Sequence, residues 1–359
     1  MKKFLFKLLF LAQSVIVLFF LRPKILQAWK GFHYDTFNVF HWKKVRFTDA
    51  EPNKNFIKTK YILANPQKFN AFVFGSSRVL NLPLGGLPNK IAETELRWYN
   101  MTYSEGIPAE HVASLKTFIN ANVDIKMIMA AFDNIAMYAS VDIHEKELLR
   151  IPYQVYEKNP LAFYLPYLNT ETDDSIISQV LEYDQAPHEQ EFIDFYNYGG
   201  VVNDDFSLTE NPNYERFKSM HFGQEYTQQN ALDDIAEIAN ICKERGIKLI
   251  LITNPIYETT YKDAVEHGYF DLLKAVSKKC EFYNFSSLNN YTKDPRYYFE
   301  SSHYRPALGA LVEKMLFGTE EEKTQIRKDA GDELWGAKVN AENVDFFIQN
   351  LREQLEKSE

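Results

Sequence analysis

The chain has 359 residues, of which 45% are hydrophobic and 25% charged, an ordinary balance for a folded protein. Its formal net charge of -9 argues against a nucleic-acid-binding protein, which would present a basic surface. The two cysteines, Cys242 and Cys280, are too few for a disulfide framework, and the histidines lack the paired spacing of a zinc-binding helix.

The first element is an apolar run from Phe4 to Leu21, "FLFKLLFLAQSVIVLFFL". A membrane-spanning helix needs about 20 such residues, so the run predicts an uncleaved membrane anchor over residues 1–24. A cleaved signal peptide and a buried helix are the competing interpretations, but Arg22-Pro23-Lys24 stands where a small-residue cleavage site would follow. Basic residues flank both ends of the run, so charge does not fix its orientation. Residues 25–65, aromatic and basic, are interpreted as a juxtamembrane linker segment.

Residues 66–317 alternate between strand-like and helix-like runs and are interpreted as one domain. The strand-like runs are "FNAFVFG", "RWYNMTY", "DIKMIMAAFDN", "IKLILITNP" and "CEFYNFSS", and the helix-like runs include "PAEHVASLKTFINAN", "NALDDIAEIANICKERG", "YFDLLKAVSKK" and "PALGALVEKMLFG". Strands separated by helices predict an α/β fold, with a parallel sheet and helices on both faces. Residues 140–222 lack a clean period and predict an insertion or lid, and residues 318–359 predict a charged helical tail.

Polar residues stand at the ends of several predicted strands. Ser77 follows the first strand in "NAFVFGSSRVL", Gly106 follows the second, and Asn134 follows the third. After the fifth strand, "YFESSHYRP" carries Glu300 and His303. Because ligands bind at the carboxyl edge of parallel strands, we expect these residues to meet there. A serine hydroxyl needs a neighbouring base to act as a nucleophile, and a histidine oriented by a carboxylate supplies one.

Each of these residues also has a simpler interpretation. Gly75-Ser76-Ser77 is a common turn composition, or a phosphate-binding turn, although one glycine offers little of the required backbone nest. Asn134 would serve equally as a helix cap. Arg78 is either a structural ion-pair partner or a contact to an anionic substrate.

The order of these motifs resembles the SGNH (GDSL-type) hydrolase superfamily. "FVFGSSRV" is similar to its first block, "NMTYSEGIPAEH" to the block that supplies a glycine, "AAFDNIAMY" to the block that supplies an asparagine, and "ESSHY" to the last, Asp-x-x-His. The resemblance covers residues 70–317 apart from the insertion. It implies a flavodoxin-like, three-layer fold, and the apolar N-terminal run adds a likeness to membrane-anchored members such as the D-alanyl transfer protein of teichoic acid modification and the alginate O-acetylation proteins.

The resemblance also implies roles for individual residues. Ser77 would be the nucleophile, His303 the general base and acid, and Glu300 the group that orients the imidazole. The backbone N–H groups of Ser77 and Gly106, with the side chain of Asn134, would form the oxyanion hole. The chain departs from the family where Ser76 and Glu300 each replace an aspartate, and the longer arm of Glu300 changes the geometry of its contact with the histidine.

Together with the residues, the resemblance implies a serine esterase or O-acyltransferase that acts on an acylated cell-surface glycan or a related envelope ester. The alternative is a non-catalytic, membrane-tethered subunit that binds a glycan or a multi-pass O-acyltransferase. The resemblance implies no metal and no organic cofactor. We expect a chain anchored in the membrane by one N-terminal helix, with its main domain on the extracytoplasmic face and with no nucleic-acid partner.

Overall fold

A computed structural model describes residues 2–171, 173–200, 205–218 and 229–358, and it leaves the side chains of residues 17–21 and 229–230 undescribed. The chain divides into two compact units. The first comprises Met1–Ile57 and His144–Phe192, and the second comprises Lys58–Ile143 and Ile193–Glu359. The predicted insertion therefore contributes to both units.

The second unit is built on a mostly parallel six-stranded sheet flanked by helices. The strands in chain order are β1 Ala71–Phe74, β2 Lys90–Ile91, β3 Thr94–Glu95, β4 Trp98–Asn100, β5 Met127–Phe132, β6 Lys248–Thr253, β7 Phe282–Asn284 and β8 Ala337–Val339. The sheet has the order β4-β1-β5-β6-β7-β8, and within it β8 alone is antiparallel to its neighbour. The short strands β2 and β3 form a separate antiparallel hairpin.

The helices account for most of the remaining ordered chain. In chain order they are α1 Lys2–Leu21, α2 Pro23–Tyr34, α3 Lys54–Ala64, α4 Pro108–Asn120, α5 Ile135–Tyr138, α6 Val141–His144, α7 Tyr153–Lys158, α8 Pro160–Leu168, α9 Asp174–Gln185, α10 Glu189–Tyr198, α11 Gln229–Arg245, α12 Glu258–Glu266, α13 Tyr269–Ser277, α14 Pro306–Phe317, α15 Glu320–Ala330 and α16 Val344–Glu356.

The interior strand β1, second from one edge of the sheet, is buried on both faces, as expected for a parallel sheet covered by helices. Side chains alternate along a strand, so Val73 joins a core cluster that includes Leu308 and Val312 of α14. On the opposite face, Phe72 and Phe74 pack against Phe118 of α4, with ring centroids 5.4 and 6.4 Å apart. The strand is thus held between two helical layers, which fixes the position of its carboxyl end.

The first unit is helical, and polar contacts join segments that are far apart in sequence. Asn53, which is buried, donates from Nδ2 to the carbonyl oxygen of Ile151 at 2.8 Å and to the hydroxyl of Tyr167 at 2.7 Å. The rings of Phe56 and Phe163 stack at 4.3 Å. The sequence showed no period in residues 140–222, whereas the described part of that segment forms α6 to α10.

Among the residues whose side chains the structure describes, no helix is both long and apolar enough to cross a membrane. Part of the predicted anchor, residues 17–21, lies outside those side chains. The anchor therefore stays a prediction.

Candidate active site

The turn after β1 presents Ser77 at the carboxyl edge of the sheet. Gly75 has a φ of +158°, and a Cβ at this position would lie 2.8 Å from a methyl carbon of Val79, so the tight turn suits glycine. Ser76 then caps a short 3₁₀ helix, Ser77–Asn81, by accepting a hydrogen bond from the backbone N–H of Arg78 at 3.4 Å. The partly exposed Ser77 is the first residue of that helix.

Ser77, His303 and Glu300 form a continuous hydrogen-bonded relay. Nε2 of His303 lies 2.7 Å from Oγ of Ser77, and Nδ1 of the same ring is hydrogen-bonded to Oε1 of Glu300. An ionised carboxylate only accepts hydrogen bonds, so Nδ1 carries the proton and Nε2 is left to accept one from the serine hydroxyl. This is the tautomer that a general base requires.

The carboxylate of Glu300 is held by its own loop. Oε2 accepts from the backbone N–H of Ser302 at 2.9 Å, and Oε1 accepts from the backbone N–H of His303 at 2.7 Å. Burial alone would raise the pKa of Glu300, but the hydrogen bond and charge of His303 and the two backbone donors lower it below its ordinary value of 4.5. The carboxylate is therefore ionised at neutral pH, and the added methylene of glutamate does not prevent contact with the ring.

The loop that carries His303 is folded back on itself. The backbone N–H of Phe299 donates to the carbonyl oxygen of His303 at 2.9 Å, and Tyr298 and Tyr304 form an isolated antiparallel β-bridge. Both tyrosines are buried in the core cluster of the second unit. The position of the imidazole is thus set by packing as well as by its hydrogen bonds.

Asn134 follows β5 and is completely buried. It makes no side-chain capping bond to α5, because the adjacent Asp133 accepts from the N–H of Ile135 at 2.8 Å instead. Oδ1 of Asn134 accepts a hydrogen bond from Nη1 of Arg78. Its Nδ2 has no hydrogen-bond partner among the described residues. Asn134 therefore occupies the N-cap position of α5 without a side-chain capping bond, and its Nδ2 remains a buried donor with no partner among the described residues.

Gly106 lies against the turn that carries the serine. A Cβ on Gly106 would be 2.5 Å from the carbonyl oxygen of Gly75, so only glycine allows this close approach. The N–H of Gly106 donates to the carbonyl oxygen of Tyr103 at 3.1 Å. An oxyanion beside Gly106 would have to compete with that carbonyl for the N–H group.

Arg78 lies in a buried ion pair next to Ser77. Its side chain is 0% exposed, and Nη1 lies 3.1 Å from Oδ1 of Asp133. Burial opposes its charge, but the negative charge of Asp133 keeps the pKa of Arg78 above its ordinary value. Of the two interpretations offered by the sequence, the structural ion pair describes this geometry.

Three polar residues of this site, Asp133, Asn254 and Ser302, were not among the candidates predicted from the sequence. Asp133 accepts from Oγ of Ser76 at 3.2 Å and from Nδ2 of Asn254 at 2.8 Å, and Ser302 accepts from Nε of Arg78 at 3.0 Å. The signal was present in the abrupt change from the apolar run "MIMAAF" to Asp133-Asn134, and in the serines of "ESSHY". Neither pattern shows which group each side chain contacts.

A cavity of about 580 Å³ adjoins the same segments. Its lining includes Ile107 and Pro108, which directly follow Gly106, and Ala136 and Tyr138, which lie two and four residues beyond Asn134. The remaining lining residues are Ala109, Ala139, Ser140, Val141, Asp142, Ile143, Ala231, Asp233 and Asp234. The cavity thus combines apolar side chains with hydroxyl and carboxylate groups.

No protein-family model matches the chain, and no curated protein matches it. The site must therefore be interpreted from its own geometry.

Proposed function

We propose that the chain is an SGNH-type serine ester hydrolase or O-acyltransferase with a flavodoxin-like, three-layer catalytic domain. The observation that carries this proposal is the relay from Ser77 through His303 to Glu300, with Nε2 of the histidine 2.7 Å from the serine hydroxyl. Nucleophile, base and orienting carboxylate occur in the geometry that acyl transfer requires.

The reaction would proceed in two steps through an acyl-enzyme. Oγ of Ser77 attacks the ester carbonyl carbon while Nε2 of His303 takes the hydroxyl proton, and the carbonyl electrons move to oxygen. Collapse of the tetrahedral intermediate expels the alcohol, which receives that proton from His303. Water or an acceptor hydroxyl then attacks the acyl carbon while His303 takes its proton. Collapse of the second tetrahedral intermediate breaks the bond to Oγ of Ser77, which receives that proton from His303. Glu300 stabilises the imidazolium that forms between the transfers.

The substrate class we propose is an acylated cell-surface glycan or a related envelope ester. A cavity lined by residues that follow Gly106 and Asn134 in the chain is compatible with this class, because Ser140, Asp142 and Asp234 can hydrogen-bond to sugar hydroxyls; Ser77, Glu300 and His303 are not among its lining residues.

Localisation at the membrane is also part of the proposal, with the main domain on the extracytoplasmic face. Large apolar side chains are exposed along α1, among them Phe4 at 68%, Phe10 at 65% and Leu11 at 65%. Exposed Trp29 and Phe32 continue on α2. Aromatic and basic residues of this kind are common at membrane interfaces. Protease treatment of intact spheroplasts should degrade the main domain and spare a short N-terminal fragment; a domain protected until lysis would reverse the orientation.

A fluorophosphonate probe tests the chemistry directly, since it reacts only with an activated serine. We expect covalent labelling of the wild-type chain and none of Ser77→Ala. Ser76→Ala is the matched control, because it removes the neighbouring hydroxyl and should retain much of the labelling. Labelling that persists in Ser77→Ala would contradict the assignment.

One observation favours the non-catalytic alternative. The N–H of Gly106, expected in the oxyanion hole, already donates to the carbonyl oxygen of Tyr103. A folded wild-type chain that the probe does not label would support a glycan-binding or acyltransferase-binding subunit instead.

A further inference from the structure

Arg78 is a buried cation that joins three separate segments around the candidate nucleophile. It follows Ser77 directly in sequence. Its Nη1 contacts Asp133 and Asn134 at the end of β5, and its Nε donates to Oγ of Ser302, next to His303, at 3.0 Å. Its side chain is 0% exposed.

The contact with Asn134 fixes which end of the amide faces the arginine. A guanidinium has only donors, whereas an amide has an oxygen that accepts and a nitrogen that donates. The oxygen must therefore face Nη1, and the Nδ2 hydrogens must point elsewhere. Nδ2 is buried and has no hydrogen-bond partner among the residues that the structure describes. Because an unsatisfied buried donor is unfavourable, it marks a place where an acceptor is expected to bind.

Asp133 completes the arrangement by balancing the charge of the guanidinium. Its Oδ1 lies 3.1 Å from Nη1 of Arg78, and the carboxylate also accepts from Ile135, Ser76 and Asn254. The charge of Arg78 is paired with Asp133 and its side chain has no exposed surface, while its Nη2 has no hydrogen-bond partner among the residues that the structure describes. What it offers to the site is a rigid set of donors.

We propose that Arg78 is a positioning residue that holds the amide of Asn134 in the one orientation in which Nδ2 can donate to the oxyanion of the tetrahedral intermediate. This inference rests on the proposed acyl-transfer function, because only that chemistry develops an oxyanion beside Ser77. It assigns Arg78 a role through Asn134 rather than through direct contact with substrate.

A double-mutant cycle on the rate of fluorophosphonate labelling tests the coupling. Loss of one oxyanion-hole donor costs about 10²–10³-fold, so Asn134→Ala should slow labelling by that order. Arg78→Lys should slow labelling by about tenfold or more. A lysine ammonium cannot reproduce the planar guanidinium, whose N–H groups contact Asp133, Asn134 and Ser302 at the same time. In the Asn134→Ala background, Arg78→Lys should cost no more than about twofold, because the amide that it orients is gone.

Arg46→Lys is the matched control for loss of a buried arginine. Arg46 is 8% exposed and pairs with Asp184 through Nε at 2.8 Å and Nη2 at 3.2 Å. Labelling of this variant should stay within about twofold of wild type. Slowing comparable to that of Arg78→Lys would show a general effect of losing a buried guanidinium and would overturn the proposal.

A structure of the wild-type chain after phosphonylation gives a measurement that does not depend on the variants folding. The phosphonyl oxygen should lie about 2.7–3.1 Å from Nδ2 of Asn134. Oδ1 should remain on Nη1 of Arg78. A phosphonyl oxygen out of reach of Nδ2, an amide turned away from Arg78, or additive rate losses in the cycle would each overturn the proposal while leaving the serine chemistry intact. A wild-type chain whose Ser77 is not labelled at all would overturn both the role of Arg78 and the proposed acyl-transfer function.

Discussion

Replacing Glu300 by glutamine removes one charge from the relay and leaves most of its geometry. Oε1 receives both His303 contacts and Oε2 receives only the N–H of Ser302. The amide oxygen of Gln is therefore expected at the Oε1 site, where it still accepts from Nδ1 and keeps the imidazole in place. The variant loses the hydrogen bond to Ser302 and the attraction between carboxylate and imidazolium.

The size of the effect follows from that attraction. Two unit charges about 4 Å apart interact by about 4 kcal/mol at an effective dielectric constant of about 20. The side chains of His303 and Glu300 are 34% and 15% exposed, so solvent screens the pair. Taking half of that attraction gives about 2 kcal/mol, or roughly 30-fold in rate.

The assay is the rate of fluorophosphonate labelling of Glu300→Gln against wild type at neutral pH. Glu321→Gln serves as the control, since it removes a carboxylate from the first turn of α15. A rate for Glu300→Gln within about twofold of wild type, the usual range for surface changes, would refute the electrostatic reasoning. A loss as complete as that of Ser77→Ala would show that the amide had displaced the imidazole.

Three further predictions use the same variants and unfolding measurements. His303→Ala should slow labelling by about 10²–10⁴-fold, the usual contribution of a general base, and a loss below about tenfold would argue against that role. Glu300, its pKa held below 4.5, should stay ionised from neutral pH down to about pH 5, so the ratio of wild-type to Glu300→Gln labelling rates should be constant over that range; a ratio that falls to one there would contradict the assigned carboxylate. Glu313 lies on α14, and burial raises its pKa to about 8. Its contribution to stability is therefore full below pH 4.5 and is lost as the pH rises through about 8. Urea midpoints should decline less between these limits in Glu313→Gln than in wild type, and parallel declines would contradict the assignment.

The sheet was the most predictable part of the fold. Short apolar runs predicted β1, β4, β5, β6 and β7, because parallel strands that are buried on both faces consist of nearly continuous apolar residues. The strand Ala337–Val339 was not predicted, since it is only three residues long, lies in a charged segment and depends on pairing with β7. The helices of residues 140–222 were also missed, because aromatic and polar residues without a clean period do not identify which face is buried.

Within the site, residue types and spacing predicted that Ser77, Glu300 and His303 would lie together, and strand ends predicted where. Sequence could not predict that the Gly106 N–H meets Tyr103, because that contact depends on the path of a loop. Nor could it choose between the two interpretations of Arg78. That choice required the positions of Asp133 and Asn134, which are more than fifty residues away in the chain.

The antiparallel pairing of β8 with β7 has a consequence for how the chain reaches its folded state. The outer edge of β7 stays open until residues beyond 336 have been made and have folded back onto it. Unpaired strand edges are templates for pairing with other molecules. A cut or fusion placed between α15 and Ala337 would therefore expose that edge permanently, and the chain would be expected to associate with copies of itself through the edge its own tail normally covers.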